Sequence, residues 1–204
     1  MVSLSEEFGI HNLKEKCGNY TTRIYGFIMY TRKHSYIVKV LRDIDFWNEL
    51  NEISGANWPI FSVKPLKEGE YTFPRSNRDE EVMQMMIPTW HEPNQNRTLL
   101  NFFNLRESSN LPCFIAFIWN NKNELEQITW PLKNTSEQDA FDSIREVVEI
   151  ISQTESAILP SLKSSENVFR EVKGNIEAKM ERRKLINGAQ KIVSIKKLLE
   201  SLKS

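Results

Sequence analysis

The chain has 204 residues with 27 basic and 27 acidic side chains, and 40% of its residues are hydrophobic. These are the proportions of a folded domain, not of a disordered segment. Its seven glycines lie at least eight residues apart, which excludes the dinucleotide fingerprint, the P-loop and the GxSxG elbow, all of which need clustered glycines.

Cys17 and Cys113 form no CxxC, and His11, His34 and His91 form no HExxH. No local zinc spacing or disulfide scaffold is present, and no metal or cofactor is expected. The first residues lack a basic start followed by an apolar run, and no apolar run approaches the length of a membrane span. The expectation is a cytoplasmic protein without a membrane span. Net charge is zero, but its two ends differ: residues 161–204 carry 11 basic and 5 acidic side chains, a net +6, against −6 for residues 1–160. A basic tail on an acidic body suits nucleic acid, a membrane or an acidic partner, or more plainly a solvated helix face or a tail that docks on its own acidic body.

In chain order, residues 21–31 are β-branched and aromatic and read as a strand. Residues 35–41 read as a second strand. Asp43 is placed to cap a helix through Phe46, Trp47, Leu50 and Ile53, whose spacing is helical. Residues 59–64 read as a third strand, which makes a βαβ unit with parallel strands.

Residues 65–97 hold four prolines and Gly69 and form an irregular insertion, with a short helix expected from Ser76 or Asn77 through Met86 and Ile87. Long insertions often carry function. Residues 98–108 read as an amphipathic helix. Cys113–Trp119 is apolar on both faces, like a central strand covered on each side. Asn120–Asn123 is a turn into a hairpin strand, Leu125–Leu132, with Ile128, Trp130 and Leu132 on one face. Thr135-x-x-Gln138 reads as a capping box, opening a helix with Phe141, Ile144, Val148, Ile151 and Ile158 on one stripe and Pro160 at its end.

The tail is helical. Val168, Val172, Ile176 and Met180 form an i+4 stripe. Leu185, Ile192, Ile195, Leu199 and Leu202 form a heptad seam of about two and a half repeats. Asn187-Gly188 leaves a helical hairpin and one kinked helix both open.

This order of elements, together with Leu111-Pro112-Cys113-Phe114-Ile115-Ala116-Phe117, resembles the thioredoxin-like fold over about residues 22–159. That family places a cis-proline before such a strand, so Pro112 is expected to be a structural cis-proline. The resemblance implies a central mixed sheet flanked by helices. It also implies a redox CxxC where the first strand meets the first helix. Here that place is taken to be Val40-Leu41-Arg42-Asp43-Ile44-Asp45, which has no cysteine, so the family's redox chemistry does not carry over.

The chemistry-bearing residues have plain structural uses. Cys113 suits a small buried hydrophobe more than a nucleophile. Trp90-His91-Glu92 suits a loop anchor more than a base with its carboxylate. At Arg42, Asp43 and Asp45, ordinary helix capping by Asp43 outweighs an acid pair that binds a cation or a basic partner. Glu177-x-Lys179 matches a nuclease pair but lies on a helix, where such pairs do not sit.

The division expected is an α/β body, residues 1–160, and a basic amphipathic extension, residues 161–204. Its use is as a non-catalytic interaction or assembly module. The extension would self-associate or dock a protein partner through Leu185, Ile192, Ile195, Leu199 and Leu202. The alternatives are a nucleic-acid accessory factor, using Lys179, Arg182, Arg183, Lys184, Lys191, Lys196 and Lys197 on phosphates, and an enzyme centred on His91 or Cys113.

Overall fold

The computed structural model describes residues 17, 24–31, 33–54, 58–64, 86–91, 99–162 and 164–201, of which 47, 63–64, 86–91, 162 and 187–201 are described by their backbone alone. The architecture is α/β. A mixed five-stranded sheet has the order β3-β2-β1-β4-β5, formed by β1 (Tyr25–Met29), β2 (Ile60–Lys64), β3 (Met86–His91), β4 (Cys113–Trp119) and β5 (Leu125–Pro131). The helices are α1 (Ser35–Arg42), α2 (Ile44–Ser54), a single turn α3 (Glu107–Asn110), α4 (Glu137–Ala157) and α5 (Ser165–Ser201), with a 3-10 turn at Pro160–Leu162.

β1 runs parallel to β2 and antiparallel to β4, with Gly26 between Ile60 and Ala116. The parallel β1–β2 crossover is present as expected, but it carries two helices where one was foreseen. Residues 35–41 are helix α1, not a strand. Their β-branched content suggested a strand, but Ile37, Val40 and Leu41 are the buried residues, and that i, i+3, i+4 spacing belongs to a helix. Asn134 settles the local choice: its Oδ1 accepts from the Tyr36 and Ile37 amides at 3.1 and 3.2 Å, satisfying donors that a helix start leaves open. Asp43 does cap the following helix, its Oδ1 accepting from the amides of Asp45 and Phe46.

The insertion contributes a strand. Met86 and Ile87 lie in β3, which pairs in parallel with β2 at the sheet edge, and not in the short helix expected there. Pro88 disguised it, yet an edge strand tolerates proline because one side of its backbone needs no partner. The start of that expected helix, at Ser76 or Asn77, lies outside the described residues. The 98–108 helix is shorter than expected: residues 99–102 are helical and a turn follows at residues 103–104.

The alternation of β1 and β4 divides the core in two. Ile24, Ile28, Phe114, Ala116 and Ile118 face α1, α2, α4 and the first half of α5. Phe27, Met29, Cys113, Ile115 and Phe117 face the helical residues Leu99 and Leu100, with Phe103 and Cys17. Leu111–Pro112 is a cis peptide. In the hairpin turn, Asn120 Oδ1 accepts from the amides of Lys122 and Glu124, both at 2.9 Å. The α4 cap sits one residue later than expected. Ser136 Oγ accepts from the Asp139 amide at 3.0 Å, while Thr135 and Ser136 donate to the Asp139 carboxylate.

Candidate interaction surface

α5 is one continuous helix of 37 residues that runs through Asn187-Gly188, so the hairpin alternative is excluded. At about 1.5 Å per residue it spans roughly 55 Å. α4, against which it packs, has 21 residues and spans roughly 31 Å. No helix of the described body is long enough to cover α5 from end to end.

Its first half belongs to the body. Val168, Val172 and Ile176 are fully buried, with Phe169 beside them, in the same cluster as Ile144, Val148 and Ile151 of α4. The hydrophobic core therefore runs past residue 160, where composition alone changes, to at least Ile176. Polar contacts follow the seam. Glu166 Oε1 accepts from the Asn121 amide of the hairpin turn at 2.9 Å. Asn175 donates to Thr154 Oγ1, also at 2.9 Å. Glu146 of α4 then receives two cations one helical turn apart, Lys179 at 3.2 Å and Arg183. The Arg183 guanidinium also lies 4.2 Å from the Trp130 ring centroid, covering an indole whose Nε1 donates to Ser143 O.

Beyond Arg183 the surroundings change. Leu185 is 74% exposed and Ile186 57%, side by side on the helix. They are two of only four strongly exposed large apolar residues among the described residues, the others being Ile44 and Leu159. Ile192, Ile195 and Leu199 continue the seam on the helical backbone, while Leu202 lies outside the described residues.

The basic residues of the tail therefore divide. Lys179 and Arg183 pair with the body. Arg182 and Lys184 are exposed. Lys191, Lys196 and Lys197 lie on the backbone-only stretch. Glu177 is exposed on α5, away from any strand.

The remaining candidates are dispersed. Arg42, Asp43 and Asp45 sit where α1 meets α2, not where β1 meets its helix. That junction is Tyr30–His34, which also has no cysteine. There His34 Nδ1 accepts from the Thr31 amide at 2.9 Å, and burial lowers the imidazole pKa. Trp90 and His91 lie in β3 rather than in a loop, and Glu92 is outside the described residues. Cys113 is buried in β4, and desolvation pushes its thiol up to about 12. Cys17 is raised likewise to about 12 by burial, against a hydrogen bond with Trp119. A thiol held protonated is a poor nucleophile.

A groove of about 480 Å³ lies between the end of α4 and the start of α5, walled by Ala157, Ile158, Leu159 and Arg170. Its polar lining is bonded internally, with Asn175 to Thr154 and Arg170 to Asn167. No described helix is long and apolar enough to cross a membrane. Sequence reasoning found the apolar seam but missed Glu146 and Trp130 as its anchor. The signal was faint: a glutamate on a charged helix face and a tryptophan already assigned to a strand.

Comparison with family models, with curated proteins and with solved structures finds no match.

Proposed function

We propose that this chain is a non-catalytic interaction or assembly module, a redox-inactive thioredoxin-like body that carries a docking helix, the second half of α5. The sheet order, the antiparallel β4–β5 pair and the cysteine-free junction at Tyr30–His34 support the thioredoxin-like part. One observation carries the functional part. Leu185 and Ile186 are exposed on a helix whose earlier stripe residues Val168, Val172 and Ile176 are fully buried and whose Met180 is half-buried. An apolar stripe on a helix is stable in water only when something covers it.

The test is solution mass by light scattering for the full chain and for a chain ending at Lys184. Cutting at Pro160 instead would remove Val168, Val172 and Ile176 from the core. An associated full chain with a monomeric, folded truncation supports an assembly device. Two folded monomers support a helix kept for another molecule. A truncation that unfolds or aggregates overturns the reading, because the second half of α5 would then belong to the chain's own body.

A further inference from the structure

Within the fold, α5 already shows what it pairs with. Its first half lays an apolar stripe on α4, and Lys179 and Arg183 clamp Glu146 at the edge of that stripe. α4 is an acidic helix: Glu137, Asp139, Asp142, Glu146, Glu149 and Glu155 stand against a single Arg145. The second half of α5 repeats the same chemistry, beyond the reach of α4. Counted as a heptad from Leu185, residues 185, 192 and 199 fall at a and residue 195 at d. Lys191 then falls at g and Lys196 at e.

Flanking e and g charges choose the partner of a paired helix. Against a second copy in parallel, Lys191 meets Lys196. Against an antiparallel copy centred on either lysine, that lysine meets its own counterpart. Both registers set like charges together, which disfavours pairing.

We infer that the second half of α5 takes an acidic amphipathic helix from another protein, of the kind α4 supplies within the fold, and discriminates against its own copy. This rests on the interaction reading above and names its partner class.

The experiment uses the full chain and two synthetic peptides of about three heptads. Both have Leu and Ile at a and d; one has Glu at e and g, the other Lys. Binding is followed by fluorescence anisotropy, and the mass of the chain alone by light scattering. The expected result is a monomer that binds the Glu peptide at least about tenfold tighter than the Lys peptide. That preference should weaken from about 0.1 to about 0.5 M salt. The double variant Lys191→Glu, Lys196→Glu should reverse it, and a chain ending at Lys184 should lose it.

Equal binding of both peptides, or binding of neither, overturns the inference. So does preferential binding to phosphatidylserine vesicles or to duplex DNA with no peptide selectivity. A dimer held together by the second half of α5 also overturns it, while leaving the broader interaction reading standing. An unfolded Lys184 truncation removes both.

Discussion

Arg183 of α5 pairs with Glu146 of α4 while its guanidinium plane covers the buried ring of Trp130. The contact marks the boundary in α5. Before it every apolar stripe residue is packed on the body, and just after it Leu185 and Ile186 face solvent.

Replacing Glu146 by Gln removes the carboxylate shared by Lys179 and Arg183. Both pairs are partly exposed, so the expected loss is about 1 kcal/mol, smaller at high salt. Urea unfolding followed by tryptophan fluorescence measures it.

Two alanine substitutions on the same helix should behave oppositely. Ile176→Ala leaves a cavity in the core and should cost about 2–5 kcal/mol. Leu185→Ala touches an exposed side chain and should change stability by about 0.5 kcal/mol or less. Denaturant midpoints at unchanged slope would show the difference.

The glycines divide in the same way. At Gly26 an added Cβ would lie 2.6 Å from Phe114 Cζ and 2.8 Å from Trp58 Cζ3. Gly26→Ala should therefore cost about 1–3 kcal/mol through overpacking. At Gly174 an added Cβ meets nothing within 4 Å, so Gly174→Ala should stabilise the helix by about 0.5–1 kcal/mol. Thermal unfolding of both variants tests the pair.

Both thiols are buried and raised to about 12. Ellman's reagent at pH 8 should find no reactive cysteine in the native chain and both in denaturant. Fast native labelling of Cys113 would instead restore it as a chemical candidate.

His34 should give stability a pH slope. Burial lowers its folded pKa below the ordinary 6.5, and the Thr31 amide donates to a nitrogen that only the neutral ring leaves free. Below the ordinary value the unfolded chain binds the proton more readily. Stability is therefore present above about 6.5 and lost as pH falls toward the folded value. The stability difference between wild type and His34→Asn should shrink between pH 7.5 and 5.5, measured by urea unfolding at each pH.

Much of the sheet was legible because its pattern is local. β1, β4 and β5 announce themselves by β-branched runs and alternation, and Asp43 by its place before a helical spacing. α1 was not, because Ile37, Val38 and Val40 favour a strand locally while Asn134, about a hundred residues away, supplies the cap that makes the helix. β3 was hidden by Pro88, acceptable only because the strand lies at an edge. The tail seam was legible as a pattern, but where the body stops covering it was not. That boundary depends on Glu146 and Trp130, which no spacing rule connects to Arg183.

The most direct measurement is amide hydrogen exchange along α5 in the monomeric full chain. The amides of residues 168–180 should exchange as slowly as those of β1, through near-global unfolding. Those of residues 187–201, on a helical stretch too short to be stable alone, should exchange about a thousandfold faster, with the break near Arg183. Uniform protection from 165 to 201 in the monomer would contradict this, because the body itself would then cover the surface assigned to a partner.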